Sequence, residues 1–272
     1  MNHKIDPESL AALPQGPGVY IFKGKGTLPL YIGKSVNIRS RVMSHLRTAD
    51  EANMIAQTLR LDFIETAGEL GALLLEARMI KEQSPLFNQR LRRTRRLCSI
   101  RLCQPNKNTA IEIVDSKAVN FGATPKLFGL FSSTHSVKKK LSELAQQHSL
   151  CKCILGLEKT SARGCFGLQI KTCLGACVGK EDRTQHDARL LAALTDLQIE
   201  VWPFSGAVDL IEEQNGWVQK HRVNNWCHLE TWCSKTGQAS QFNALDTQEF
   251  DRDSYHILVK PILLQTVKVQ AC

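Results

Sequence analysis

No apolar run in the sequence approaches the ~20 residues of a bilayer-spanning helix. The opening stretch, MNHKIDPESLAALPQGPG, has no basic segment followed by an apolar one, so it does not read as an export signal. Together these absences predict a cytoplasmic protein with no membrane partner. Internal repeats and low-complexity tracts are also missing, which leaves ordinary globular domains. Hydrophobic residues make up 43% and charged residues 22% of the 272, enough for one large domain or two to three small ones. Cysteine, by contrast, is plentiful. Ten in a reducing compartment suggest metal ligands or free thiols rather than disulfides.

Acid is missing from one stretch where base is crowded. From Asn88 to Arg101, NQRLRRTRRLCSIR carries Arg90, Arg92, Arg93, Arg95, Arg96 and Arg101 with no Asp or Glu. Through Arg101, sixteen Lys and Arg stand against nine Asp and Glu, so +7 of the net +9 lies in the first third. Such a stripe suits a polyphosphate such as DNA, because each cation near a phosphate releases condensed counterions. The alternative is a solvated basic linker.

In GVYIFKGKGTLPLYIGKS (18–35), two runs of β-formers flank a Gly- and Pro-rich connection, which predicts a hairpin. Side chains alternate across a strand. Val19 and Ile21 therefore share one face with Leu30 and Ile32, and Tyr20 and Tyr31 emerge together on the other. Frequent use of Tyr in strands would give the same pattern without function. SVNIRSRVMSHLR then predicts a helix capped by Ser35, with Arg41 two turns beyond Lys34 and His45 a turn further. EANMIAQTLR predicts another short helix, and LDFIET (61–66) a strand. GELGALLLEARMIKEQ is strongly amphipathic, with Leu70, Leu73, Leu74, Ala77 and Ile80 as its core stripe and Pro85 beyond its end. Glu76 falls inside that stripe. A carboxylate there is costly unless a cation compensates it or it tilts out to water.

Beyond residue 101 the pattern changes. KAVNFGATPKLFGLFSS reads as strand and loop, THSVKKKLSELAQQHSL as a capped helix, and QHDARLLAALTDLQ as another helix. Between them stand Cys151, Cys153, Cys165, Cys173 and Cys177. The tail, including WVQKHRVNNWCHLE and YHILVKPILL, reads as short strands and turns, and NNWCHLETWC as a strand pair with packed tryptophans. The expected class is α+β. A small domain with a basic end (1–101) would precede a cysteine-cluster region (102–195) and a small β-rich domain (196–272).

Gly18-Val19-Tyr20, Tyr31-Ile32-Gly33, Lys34, Arg41, Glu76 and Asn88 together resemble the motif set of the GIY-YIG nucleases. PGVYIF, PLYIGKSVNIRSRV, GALLLEARMIKEQSPLFNQRLRR and LFGLF further resemble the N-terminal half of UvrC and its short homologues in nucleotide excision repair. The resemblance implies a short antiparallel sheet with surrounding helices, and an active-site floor to which both tyrosines point. It implies that Glu76 holds a single Mg²⁺ or Mn²⁺ and that Arg41 holds the scissile phosphate. A hard cation favours carboxylate oxygen, and no second acid lies nearby to make a two-metal site. A phenol with an ordinary pKa near 10 is an odd base, and an ammonium at Lys34 would lower it. Tyr20 is the favoured base, with Tyr31 placing water or phosphate. Gly33 admits a close approach of the backbone, and Asn88 has a supporting hydrogen-bond role.

Where UvrC proteins often carry a further tyrosine, this sequence has His45, expected to contact phosphate beside Arg90, Arg92, Arg93, Arg95 and Arg96. The resemblance also implies a [4Fe–4S] cluster on Cys165, Cys173, Cys177 and either Cys151 or Cys153, with structural zinc as the alternative. The expected activity is incision of damaged duplex DNA on the 3′ side of a lesion, on a complex with UvrB loaded by UvrA. With no room for UvrC's second nuclease, no 5′ cut is expected. The alternatives are a structure-selective endonuclease acting on junctions or flaps, and a non-catalytic DNA-binding scaffold.

Overall fold

A short helix α1 (Pro7–Ala11) starts on Asp6, whose carboxylate accepts the Glu8 and Ser9 amides. The predicted hairpin follows as β1 (Gly18–Lys23) and β2 (Pro29–Ser35), then α2 (Ile38–His45), α3 (Ala52–Gln57), β3 (Arg60–Glu65) and α4 (Glu69–Gln83). The computed structural model describes residues 4–88, 96–104, 108–159, 163–241 and 250–272. The first three strands make an antiparallel sheet in the order β2-β1-β3. Tyr20 stands opposite Gly33, and Phe22 opposite Tyr31, so the two tyrosines share a face as alternation requires.

That face is not an open floor. Tyr20 and Phe22 pack in one core with Ile38 and Val42 of α2 and with Met54 and Ile55 of α3. Those two helices have apolar stripes to bury, and this side of the sheet receives them. Val19, Ile21 and Ile32 pack on the other side against Leu75, Met79 and Ile80 of α4. Leu30 departs from the expected pattern and joins the tyrosine-side core. A bulge at Phe22/Lys23 pairs Lys23 with Pro29 and breaks the alternation there. The cap of α2 also differs: Asn37, not Ser35, accepts the Ser40 amide, while Ser35 ends β2 and its hydroxyl accepts the Asn37 amide. Lys34 is therefore a strand residue and does not share a helix face with Arg41 and His45.

The unit formed by residues 94–202 has its own sheet, β4 (Cys98–Cys103), β5 (Ala110–Asp115) and β6 (Leu127–Phe131), in the order β5-β4-β6. Helix α5 (Thr134–Gln147) is capped by Ser133 in a reciprocal box with Ser136. Helices α6 (Phe166–Gln169) and α7 (Arg183–Leu194) follow. The expected boundary at residue 101 falls inside β4. Arg101, expected to belong to a basic stripe, is a strand residue paired with Glu112.

Residues 203–272, the expected β-rich C-terminal part, form one compact unit with the first 93 residues. They supply β7 (Val208–Gln214), β8 (Trp217–Asn224), β9 (Cys227–Cys233), β10 (Gln238–Gln241), α8 (Arg252–Leu263) and β11 (Lys268–Ala271). The sheet order is β10-β9-β8-β7-β11, every pairing antiparallel. The expected strand character of YHILVKPILL is overturned, since it lies in α8 with Tyr255, Leu258 and Ile262 buried at helical spacing. Asp251 caps that helix, and Pro261 lies inside its last turn, where it has no N–H to donate to the preceding turn. NNWCHLETWC spans the turn of a strand pair, from Asn224 at the end of β8, which pairs with Cys227, through β9. Asn225 and Trp226, both at positive φ, make the β8–β9 turn, and Trp226 is fully buried with its ring 5.2 Å from that of Tyr255.

Candidate active site

The sheet, α2 and α4 converge on the residues singled out from sequence. Tyr20 is 1% exposed, and its phenol lies 2.7 Å from His45 Nε2 and hydrogen-bonds the Arg41 side chain. Tyr31 is half-buried, with its ring 6.2 Å from that of Tyr20. Glu76, half-buried on α4, acts electrostatically on both phenols and receives a hydrogen bond from the Lys34 backbone. Glu76 and Arg41 thus both act electrostatically on the two phenols.

Burial pushes the Tyr20 phenol well above its ordinary range, with the field of Tyr31 adding to it and Arg41 opposing. Tyr31 is raised by burial and by Glu76. This corrects the expectation that Lys34 holds a phenol low. Lys34 pairs with Val19 on the face opposite the phenols, and its ammonium is 2.5 Å from Glu69 Oε1. The group on which it acts is Glu76. Burial drives that carboxyl up to about 7, while the Lys34 charge and backbone hydrogen bond oppose the rise.

His45 does not face DNA. It is 2% exposed, with Nε2 on Tyr20 and Nδ1 2.5 Å from Glu51 Oε2. Burial lowers its pKa, with the hydrogen bond to Glu51 opposing, so the ring is neutral. A carboxylate can only accept, which places the proton on Nδ1 and leaves Nε2 to accept from the Tyr20 hydroxyl. Glu51 escaped the sequence reading, because its pairing with His45 follows from the tertiary fold and no spacing signals it.

Gly33 and Asn88 support this arrangement. A Cβ on Gly33 would collide with the Tyr20 phenol and come within 2.8 Å of Tyr31 Cε1. Gly33→Ala is therefore expected to destabilise the protein by about 2 kcal/mol and to displace the phenol, as thermal melts and the nicking rate would report. Asn88 is buried. Its Oδ1 accepts the Ile32 amide at 2.9 Å and its Nδ2 donates to the Ile32 carbonyl at 2.8 Å, so it stands in for a further strand on the edge of β2. These two bonds position the strand. Arg96, expected to bind DNA, is exposed and ion-paired with Asp115. Arg90, Arg92, Arg93 and Arg95 lie outside the described residues.

In the other unit, five thiols gather. Cys151, Cys165 and Cys173 are within 4.8 Å of one another, as are Cys151, Cys153 and Cys177. Both candidates for the fourth ligand are thus present, and Cys151 belongs to both groups. Burial pushes Cys173 and Cys177 up to about 12. Thiols crowded and desolvated in this way resist ionisation unless a bound cation compensates.

Comparison with known proteins follows this division of the chain. Residues 16–89 match the UvrC-like GIY-YIG domain, 89–196 the UvrC/Cho excinuclease middle domain, and 207–272 the excinuclease Cho C-terminal domain. Excinuclease Cho of Salmonella typhimurium is 48% identical over 256 residues, covering 93% of this chain and 85% of that one. The Escherichia coli K12 counterpart is 47% identical over 255 residues, covering 92% and 84%. The chain belongs to the Cho excinuclease family. It is an endonuclease with a GIY-YIG domain. UvrABC system protein C of Dehalococcoides mccartyi is 29% identical over 194 residues, covering 70% of this chain and 32% of that one. A crystal structure of the Thermotoga maritima UvrC GIY-YIG domain, described as bound to magnesium, is 36% identical with a TM-score of 0.28. It covers 30% of this chain and 92% of that one, too partial an overlay to transfer geometry. No helix among the described residues is long and apolar enough to cross a membrane.

Proposed function

We propose that this endonuclease hydrolyses one strand of damaged duplex DNA on the 3′ side of a lesion, in the cytoplasm, on a complex with UvrB. One observation carries the chemistry: Arg41 and Glu76 act with opposite sign on the same pair of phenols. Glu76 suits a single hard cation. It is a desolvated carboxylate raised to about 7, held by a backbone hydrogen bond and by the field of Lys34, with a charge that a divalent ion would compensate. Bound there, Mg²⁺ or Mn²⁺ would supply Lewis acidity toward the phosphoryl and leaving oxygens.

The chain's own residues do the rest. Arg41 is an exposed residue, and its guanidinium grips the scissile phosphate as a planar fork. Tyr20 is too deeply buried to be the first acceptor, so that role passes to the half-buried Tyr31. As water attacks phosphorus and the P–O bond to the leaving sugar oxygen breaks, Tyr31 oxygen takes the water's proton and passes its own to Tyr20, while the leaving oxygen departs as an alkoxide that solvent protonates. Tyr20 in turn donates to His45 Nε2, and the resulting imidazolium is stabilised by Glu51. This relay avoids forming a free phenolate, which burial disfavours. DNA binding also draws on the arginines of 90–96.

The thiol cluster is proposed to hold a [4Fe–4S] centre, with Cys165, Cys173 and Cys177 joined by Cys151 or Cys153, and zinc as the alternative. Protein purified without oxygen is expected to be brown and to absorb near ~400 nm; a colourless preparation with stoichiometric zinc contradicts this. The incision itself is tested on an end-labelled duplex with one bulky lesion. A nick on the 3′ side that requires UvrA and UvrB supports the proposal, whereas cutting of undamaged junctions or flaps without them refutes it.

A further inference from the structure

Helix α4, which carries Glu76, does not cap itself. Its N-cap is Gly68, with no side chain to accept the first amides, which would be orphaned if buried. The C-terminal sheet supplies the missing acceptor. Glu212 of β7 accepts the Leu70 amide at 2.9 Å and the Gly71 amide at 2.7 Å, one on each carboxylate oxygen. Gln219 of β8 accepts the preceding Ala67 amide at 2.8 Å. His221 holds the carboxylate in place, with Nε2 3.1 Å from Glu212 Oε2 and Nδ1 2.9 Å from Thr231 Oγ1.

The sequence of α4 leaves room for this. A Cβ on Gly68 would collide with the Glu212 carboxylate, and one on Gly71 would come within 2.8 Å of His221 Cε1. Burial pushes the Glu212 carboxyl up, but the His221 hydrogen bond and the two amides outweigh it, so its pKa is low and the cap is anionic. An anion at a helix N-terminus is favoured by the aligned peptide dipoles.

The other end of the helix is fastened to the same region. Lys81 Nζ is 2.6 Å from Asp251 Oδ1 and 2.8 Å from Asp253 Oδ2. Gly71 and Lys81 each lie five residues from Glu76, about 7.5 Å along the axis at 1.5 Å per residue. Glu76 thus sits midway between two anchors.

We infer that residues 203–272 act as a clamp that fixes Glu76 through α4, with Glu212 as the positioning residue at the end nearer Lys34. The inference rests on Glu76 being the cation ligand. A shift of even 1 Å in a group that must meet a cation and a phosphate can cost about 10²-fold in rate.

The test is Mn²⁺ binding to the full chain, read by the EPR signal of the free ion at a temperature well below every variant's melting point. Glu212→Ala is expected to weaken Mn²⁺ binding about tenfold, the size typical of losing a group that orients a metal ligand, with undamaged-DNA affinity within about twofold of wild type. Glu212→Gln keeps the volume but turns an N–H₂ toward one of the two α4 amides and removes the charge, so it is expected to weaken Mn²⁺ binding measurably though less than Glu212→Ala, and it answers the question if the alanine variant does not fold. Hydrogen exchange at the Leu70 and Gly71 amides should quicken in step with the loss of Mn²⁺ affinity. A variant that melts earlier or exchanges faster but binds Mn²⁺ as wild type does would overturn the inference and leave Glu212 a stabilising contact only. If Glu76→Gln binds Mn²⁺ as tightly as wild type, the ligand assignment itself falls, and the clamp's catalytic meaning with it.

Discussion

Glu76→Gln is expected to lower the nicking rate by at least about 10³-fold while leaving DNA affinity within a fewfold of wild type. The substitution keeps shape and hydrogen bonding but removes the charge that a hard cation requires. It should also stabilise the protein when no metal is present. The folded-state carboxyl sits near 7 against an ordinary 4.5, so the fold prefers the neutral acid. That contribution is fully present below about pH 4.5 and is lost as pH rises through 7, costing the wild type up to about 3 kcal/mol by pH 8. The variant should therefore melt higher than wild type at pH 8 in chelator, and the gap should close near pH 4.5. A variant that nicks normally in Mg²⁺ would remove Glu76 from the chemistry. Equal melting at pH 8 would show that the carboxyl is not desolvated.

Arg41→Ala is expected to cost about 10²–10³-fold in nicking, the range for losing one preorganised donor to a developing oxyanion. Arg41→Lys should recover little, because an ammonium cannot offer two parallel N–H bonds to a phosphate. Binding should weaken only slightly, with the salt dependence of affinity reduced by about one phosphate contact. Arg41 also hydrogen-bonds Tyr20, so the alanine variant loosens the phenol relay as well as the phosphate grip. A variant whose defect is confined to DNA affinity, with single-turnover cutting unchanged, would make Arg41 an ordinary backbone contact.

How much of this was legible in the sequence depended on how local the cause was. The hairpin could be read because alternation and Gly/Pro punctuation act within a few residues, and that alone put Tyr20 and Tyr31 on one face. Glu76 stood out because a carboxylate inside an apolar stripe needs a reason, and its raised pKa is the energetic form of that anomaly. What the sequence hid was tertiary. Which helices cover the tyrosine face decided that Tyr20 is buried and that His45 turns inward to Glu51, and no spacing encodes that. Lys34 follows Tyr31-Ile32-Gly33 directly, yet strand alternation sends its side chain to the other face, where it serves the acid. The α8 helix was hidden by Ile, Leu and Val beside Pro261, residues that suit a strand until the cap at Asp251 and the buried Tyr255–Leu258–Ile262 stripe are seen together. The Glu212 cap joins residues more than 140 positions apart, with only two glycines on α4 to hint at it.

The most direct test of the site is anomalous diffraction from crystals soaked in Mn²⁺. A single peak at about 2.1 Å from a Glu76 carboxylate oxygen, on the side facing Tyr31, is the predicted result. A peak bound elsewhere in the GIY-YIG domain, with none at Glu76, would contradict it.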